Sequence, residues 1–135
     1  MPVIDASVYV ALANDGDPYH DRCFKWFESS VREQQPMAAP GLLLVEVAAS
    51  IRRLTGSSKL AHRVLSELQE DELIELYPLT AARSEAAAKL AASIGVRGAD
   101  AVYLALAEEL GEALITLDRQ QLERSRGVVD VARPA

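Results

Sequence analysis

Four carboxylic acids interrupt apolar stretches of this chain. Asp5 is the only charged residue in the first 14 positions, and Glu46 is the only one from position 34 to position 51. Asp100 shares an 18-residue apolar stretch with a single other charge, and Asp118 ends an apolar run. Acids are rarely buried unless they are paired, hydrogen-bonded or bound to metal. Four acids in segments whose apolar sequence predicts burial therefore indicate a shared cation.

Oxygen-only ligands favour a hard cation, Mg²⁺ or Mn²⁺, over zinc. Such a cation activates a water for attack on a phosphodiester and stabilises the leaving oxygen. No serine, histidine or cysteine nucleophile is required, and the two histidines, His20 and His62, lack zinc-ligand spacing. The chain also has no P-loop and no G-x-G-x-x-G motif, which disfavours nucleotide-hydrolase and dinucleotide-binding functions.

Each acid also has a purely structural explanation. Asp5 and Asp118 stand where an acid caps a following helix, and Asp100 stands in a first helical turn, where the helix dipole favours an anion. Glu46, in mid-helix, is explained as a partly exposed acid that pairs with Arg53 on its own face or with an arginine elsewhere. Their joint placement is harder to explain structurally, because two acids fall at strand ends and two on helices that flank the same sheet.

The elements that position these acids alternate along the chain. Short apolar runs predict five strands, at 3–4, 37–39, 73–76, 113–117 and 128–131. Helical periodicity, caps and glycine stops predict helices at 7–14, 17–32, 41–55, 57–70, 80–94, 98–110 and 119–124. The third of these carries a predicted core stripe of Leu43, Val47, Ile51 and Leu54. This alternation predicts an α/β fold with a parallel sheet covered on both faces, which binds ligands at the carboxyl ends of its strands.

Length and composition limit the number of domains and the general class of the protein. A chain of 135 residues with half of them apolar suits a single domain, 1–135. No apolar run reaches the length of a membrane span, and no basic region precedes the first apolar run, so neither a membrane association nor a secretory signal is expected. The single cysteine, Cys23, suits a core position in a reducing compartment, which predicts a cytoplasmic protein. The net charge of −6 disfavours broad, non-specific nucleic-acid binding.

PIN domains carry four motifs that resemble the blocks VIDASVYVAL, LLLVEVAASIRRL, GADAVYLALAEELG and ALITLDRQQL of this chain. The length and order are most similar to VapC-type toxins of bacterial toxin–antitoxin pairs. This resemblance implies a three-layer α/β/α fold with a central parallel sheet of four to five strands. It also implies a Mg²⁺- or Mn²⁺-dependent endoribonuclease. One position departs from many relatives, which carry asparagine where this chain has Ala49.

By motif, the resemblance implies that the catalytic, metal-binding quartet is Asp5, Glu46, Asp100 and Asp118. Asp5 and Asp100 would be the most direct ligands, and the other two would complete the site partly through water. Two further positions match accessory polar residues that hydrogen-bond the acids or a water, namely Ser7 and Thr116. An N-cap serine and a plain strand threonine are the structural alternatives.

The resemblance also implies an RNA substrate, a cognate antitoxin and a homodimer. Arg97 and Arg53 lie near the acidic motifs and are candidates for contacts with RNA phosphates. Each is equally explained as a solvated charge or as the ion-pair partner of an acid. Two other functions stay open on sequence grounds. One is a catalytically silent PIN-fold binding module, and the other is a Mg²⁺-dependent phosphatase or DNA nuclease.

Overall fold

A five-stranded parallel sheet forms the centre of the protein, which a computed structural model describes over residues 1–135. The strands are, in chain order, β1 (Val3–Ile4), β2 (Met37–Pro40), β3 (Ile74–Tyr77), β4 (Leu114–Ile115) and β5 (Val131–Ala132). Their spatial order is β3-β2-β1-β4-β5, and every neighbouring pair is parallel. β1 is therefore the central strand, with β2 on one side and β4 on the other.

Seven helices connect the strands: α1 (Ala6–Ala13), α2 (His20–Arg32), α3 (Leu42–Thr55), α4 (Ser58–Glu70), α5 (Ala81–Ile94), α6 (Gly98–Leu110) and α7 (Arg119–Ser125). Local sequence explains most of their ends. Ser57 and Thr80 cap α4 and α5 by accepting backbone N–H groups. Gly56 and Gly95 end α3 and α5 at φ values of 69° and 73°, a left-handed conformation that glycine adopts without strain.

The direction of the chain across the sheet reverses once. From β1 it proceeds through β2 to β3, and it then returns past β1 to β4 and β5. Because parallel crossovers are right-handed, this reversal places α1–α4 on one face and α5–α7 on the other. The predicted three-layer α/β/α architecture is confirmed. The carboxyl ends of β1 and β4 flank the switch point, where open α/β sheets bind ligands.

The core lies between the sheet and its helices. α6 packs on β1, β2 and β4 from one face, and α3 packs on β2 and α1. Leu43, Val47 and Ile51 are buried as predicted, but Leu54 is 61% exposed. The prediction for Leu54 was wrong because this residue lines an open cleft instead of packing in the core.

Several element boundaries differ from the predictions; the fourth strand, for example, is Leu114–Ile115 rather than 113–117. α2 begins at His20 rather than at 17, because the Asp17 side chain accepts the Tyr19 N–H and stabilises a separate turn. β3 starts and ends one residue later than predicted. The last strand is Val131–Ala132, because Val128 donates its N–H to the Ser125 carbonyl and continues the turn after α7.

Helices α5 and α6 are joined by a short break that bears on the site. They are bent by 112° across this break, and Arg97 is the last residue before α6. No single helix of the chain is long and apolar enough to cross a membrane, and only this bent pair, taken together, reaches that length and composition.

Candidate active site

Asp5 is a buried carboxylate at the switch point of the sheet. It follows β1 directly and is only 4% exposed. Ile4 is paired with Ile115 of β4, so the next residue of each strand, Asp5 and Thr116, also lie side by side. The Thr116 hydroxyl donates to Asp5 Oδ2, and the Ser7 hydroxyl and backbone N–H both donate to Asp5 Oδ1. Both carboxylate oxygens are therefore held by this chain's own donors.

The surroundings of Asp5 raise the pKa of its carboxyl toward neutral pH. Burial raises the pKa of the Asp5 carboxyl from 3.8 to about 6, even though the hydrogen bonds from Ser7 and Thr116 oppose that rise. The negative charge of Asp100 contributes further to the raised pKa of Asp5. Strongly perturbed acids of this kind concentrate at functional sites.

The same two hydroxyls connect Asp5 to the turn between β4 and α7. Ser7 Oγ accepts the Leu117 N–H at 3.0 Å, and Thr116 Oγ1 accepts the Asp118 N–H at 3.0 Å. Asp118 caps α7, because its Oδ1 accepts the Gln121 N–H at 3.0 Å. Both Ser7 and Thr116 thus touch Asp5, as the sequence predicted for the accessory positions, and they also fix the backbone that carries Asp118.

Gln121 ties the Asp118 turn to the helix of Asp100. Its side chain is fully buried, and Nε2 donates to the Asp100 carbonyl at 3.0 Å. Its Oε1 accepts the Ser125 hydroxyl at 3.2 Å. Gln121 therefore holds the first turns of α6 and α7 together and sets the separation of Asp100 from Asp118. Sequence reasoning missed this residue, although its position three residues after a capping acid was the available signal.

Arg97 bridges two of the acids. Its Nε donates to Asp100 Oδ2 at 2.9 Å, and its Nη2 donates to Asp118 Oδ2 at 3.1 Å. The Arg97 side chain is 66% exposed, whereas those of Asp100 and Asp118 are 14% and 30% exposed. The hydrogen bond to Asp100 is the main cause that raises the pKa of Arg97, and the charges of Asp100, Asp118 and Glu46 raise it further. Arg97 is therefore an ion-pair partner of Asp100 and Asp118, which is one of the alternatives that the sequence left open.

Glu46 is held from the other side of the site by a tyrosine. The Tyr103 hydroxyl donates to Glu46 Oε1 at 2.6 Å, and Tyr103 itself is 1% exposed. Burial, followed by this hydrogen bond, raises the pKa of Tyr103 far above its ordinary value. Arg53 does not pair with Glu46 but donates to Ser50 Oγ at 3.4 Å. The role of Tyr103 was missed, because a tyrosine on an apolar helix face is predicted as core.

Two of the four predicted acids line one cleft, and the other two are linked to it by hydrogen bonds with Ser7 and Arg97. A cleft of ≈ 490 Å³ is lined by Glu46, Asp118, Arg97 and Arg53, among others. Ser7 also lines the cleft, and its hydroxyl donates to the buried Asp5 carboxylate. The charges of Asp5, Asp100 and Glu46 all act on the Tyr103 hydroxyl. The structure thus brings together the predicted acids, which the chain contributes from positions far apart in sequence.

The donor chemistry of this cleft fits a hard divalent cation, because its ligands are carboxylate and hydroxyl oxygens. The arrangement of those donors does not yet form a coordination sphere. No group of three or more His, Cys, Asp or Glu side chains lies close enough to hold a metal ion. Arg97 lies among these acids, and its guanidinium donates to one oxygen of Asp100 and to one oxygen of Asp118. A cation that binds those two oxygens competes with Arg97 for them.

A parallel sheet with acids gathered at its switch point defines an α/β protein with an acidic cleft. The chain belongs to the PIN domain family, whose model matches residues 3–127. Comparison with the curated proteins gave no match.

Three solved structures show the same fold. VapC20 of Mycobacterium tuberculosis, a sarcin–ricin loop cleaving toxin, is 20% identical with a TM-score of 0.82, covering 99% of this chain and 100% of that one. VapBC2 of Rickettsia felis, solved with a fragment of its promoter DNA, is 12% identical with a TM-score of 0.73, and 96% of each chain is covered. FitAcB of Neisseria gonorrhoeae is 19% identical with a TM-score of 0.71, covering 99% and 98%.

Proposed function

We propose that this chain is a Mg²⁺- or Mn²⁺-dependent endoribonuclease toxin that a cognate antitoxin neutralises. The observation that carries the proposal is the buried Asp5, whose carboxylate accepts hydrogen bonds from Ser7 and Thr116 at the switch point of a PIN fold. Burial of an acid beside a second acid is costly unless a cation joins them. The resemblance to VapC20 over the whole chain supports the nuclease assignment.

The proposed cation ligands are Asp5 and Asp100, with Glu46 and Asp118 completing the site, partly through water. When bound, the cation supplies an activated water and stabilises negative charge on the phosphate. The chain's own residues orient the acids: Thr116 and Ser7 hold both oxygens of Asp5. Because a water is the nucleophile in this mechanism, no serine, cysteine or histidine nucleophile is needed. Cys23 is fully buried, and burial raises the pKa of its thiol to about 11.

An antitoxin and a second copy of the chain are the proposed partners, acting in the cytoplasm with the RNA substrate. The acidic cleft is complementary to a basic antitoxin segment. A toxin–antitoxin complex of Klebsiella pneumoniae is similar in fold, at 16% identity and a TM-score of 0.69. Expression of the chain alone should arrest growth, and co-expression of the small protein encoded beside it should relieve the arrest. Sedimentation velocity at micromolar concentration tests the dimer.

The decisive experiment is cleavage of total cellular RNA by the purified chain in Mn²⁺, in Mg²⁺ and in EDTA. We expect discrete fragments that require the metal and disappear in Asp100→Asn. Glu108→Gln is the matched control, since it removes one exposed carboxylate from the same helix α6 outside the cleft. It should cleave like the wild type.

Cleavage that persists in Asp100→Asn overturns the assignment of the site. No cleavage under any condition, with residual antitoxin excluded by mass spectrometry, indicates the catalytically silent binding module instead. Competition by DNA or by a phosphomonoester, with loss of the RNA fragments, indicates a DNA nuclease or a phosphatase.

A further inference from the structure

Arg97 occupies the place between Asp100 and Asp118 where two carboxylates face one another. It donates to Oδ2 of each acid, at 2.9 Å and 3.1 Å. These are the same kind of oxygens that a hard divalent cation binds. A guanidinium and a divalent cation therefore compete for the same two ligands.

The Arg97 side chain is free to move away from the two acids without a change in the backbone. It precedes α6 in an extended conformation, with φ −62° and ψ 152°, and its side chain is 66% exposed. Its neighbour Val96 is buried, so the backbone of the segment is anchored while the arginine side chain extends toward solvent. Ion pairs of exposed arginine are weak, because water and salt screen the attraction between the charges. Displacement of the guanidinium by a doubly charged ion is consequently favourable, but not free of cost.

A change of pH does not release Arg97. An arginine keeps its proton at every physiological pH, and the surrounding acids stabilise the charged form further. Competition by another cation is a route by which the two acids are freed.

We infer that Arg97 is an internal competitor for the divalent cation, and that cation binding releases its guanidinium to contact a phosphate of the RNA. The inference rests on the proposed metal site. The released group remains at the mouth of the cleft, beside Glu46 and Asp118. Guanidinium geometry matches a phosphate in two parallel hydrogen bonds. Metal binding and substrate contact are thereby coupled through one side chain.

The test is a Mn²⁺ titration by isothermal calorimetry on the full chain, comparing the wild type with Arg97→Gln, Arg97→Lys and Arg53→Gln. Arg53 lines the same cleft and carries the same charge, but it contacts Ser50 rather than an acid. We expect Arg97→Gln to bind Mn²⁺ about tenfold more tightly, since two partly exposed ion pairs no longer have to be broken. Arg53→Gln should stay within about twofold of the wild type, and Arg97→Lys should lie between the two.

A second measurement follows the release directly in the wild type. The Arg97 Nε–H resonance, assigned by its absence in Arg97→Lys, should shift away from its hydrogen-bonded position as Mg²⁺ saturates the site. At saturating Mn²⁺, Arg97→Gln should also raise the KM for the cleaved RNA severalfold, with a smaller change in kcat. The same substitution would then act with opposite signs on metal and RNA affinity.

The outcomes separate the two levels of the proposal. If no variant and no wild-type sample binds Mn²⁺, the proposed metal site fails, and the competition fails with it. Equal Mn²⁺ affinity in the wild type and Arg97→Gln, or an equal gain in Arg53→Gln, overturns only the competition. A KM unchanged in Arg97→Gln, with tighter Mn²⁺ binding, overturns only the phosphate contact.

Discussion

Thr116 donates its hydroxyl hydrogen to the Asp5 carboxylate, although 111 positions separate the two residues in the chain. The contact exists because β1 and β4 are neighbours in register, so the residues that follow Ile4 and Ile115 face each other. The same hydroxyl accepts the Asp118 N–H. A single threonine thus links two of the four acids at the switch point.

Replacing Thr116 by valine should destabilise the protein, and more so at higher pH. Valine keeps the branched shape but leaves Asp5 Oδ2 without its donor, which costs about 1–3 kcal/mol for a buried charged group. Urea unfolding in EDTA at pH 8 and at pH 5 measures this. The loss should shrink at pH 5, where the carboxyl is mostly protonated. Thr116→Ser, which keeps the hydroxyl, should restore most of the stability, and a serine variant as unstable as valine would contradict the prediction.

The raised pKa of Asp5 predicts how stability changes with pH. The folded carboxyl has a pKa of about 6 against an ordinary value of 3.8, so between these values the folded state binds the proton more tightly. Stability therefore falls as pH rises from about 4 to about 6, and the full penalty, on the order of 1–3 kcal/mol, is present above that range. The proposed cation site requires the charged form of Asp5, so the proposed RNA cleavage should decline below about pH 6.

Asp5→Asn isolates this contribution from all other titrating groups. In EDTA, the variant should be more stable than the wild type at pH 7.5, because the buried charge is gone. The difference in unfolding free energy between the two proteins should vanish toward pH 4. A difference that does not depend on pH would show that Asp5 titrates normally.

Gln121→Met should disturb the site without touching any acid side chain. The substitution removes the hydrogen bond from Nε2 to the Asp100 carbonyl, and leaves that buried region about 1–3 kcal/mol less stable. We expect weaker Mn²⁺ binding, because the first turns of α6 and α7 lose the link that sets their separation. Gln120→Met is the matched control, since Gln120 is the exposed neighbour in the same helix. Equal Mn²⁺ affinity in the two variants would assign Gln121 a purely structural role.

The acids were predictable from the sequence because each interrupts an apolar segment, and charge in such a segment requires a partner. The fold followed from alternating elements with clear caps and glycine stops. The partners of the acids were not predictable in the same way. Arg97 reaches Asp118 across 21 positions, and Tyr103 reaches Glu46 across 57, so both contacts depend on how helices pack. The predicted burial of Leu54 was wrong for the same reason, because helical periodicity does not show which other elements pack against each turn of a helix.

Tyr103 and Glu46 should behave as one energetic unit. Tyr103 Oη and Glu46 Oε1 are 2.6 Å apart, and the tyrosine ring is buried, so the hydroxyl has little access to water as an alternative partner. A hydrogen bond to a charged acceptor in such surroundings contributes about 1–3 kcal/mol. Tyr103→Phe, which keeps the ring, and Glu46→Gln should therefore each lower the free energy of unfolding.

A double-mutant cycle measures the coupling between these two side chains. The pair Tyr103→Phe/Glu46→Gln should be less destabilised than the sum of the single variants, with a coupling of about 1 kcal/mol, because the charge of Glu46 strengthens this hydrogen bond only while the Tyr103 hydroxyl is present. Tyr9→Phe combined with Glu46→Gln is the control, since Tyr9 is a buried tyrosine of α1 that makes no hydrogen bond to Glu46. That pair should be additive. Additivity in the Tyr103 cycle would mean that the tyrosine holds α6 by packing alone, and that Glu46 is positioned by α3 without it.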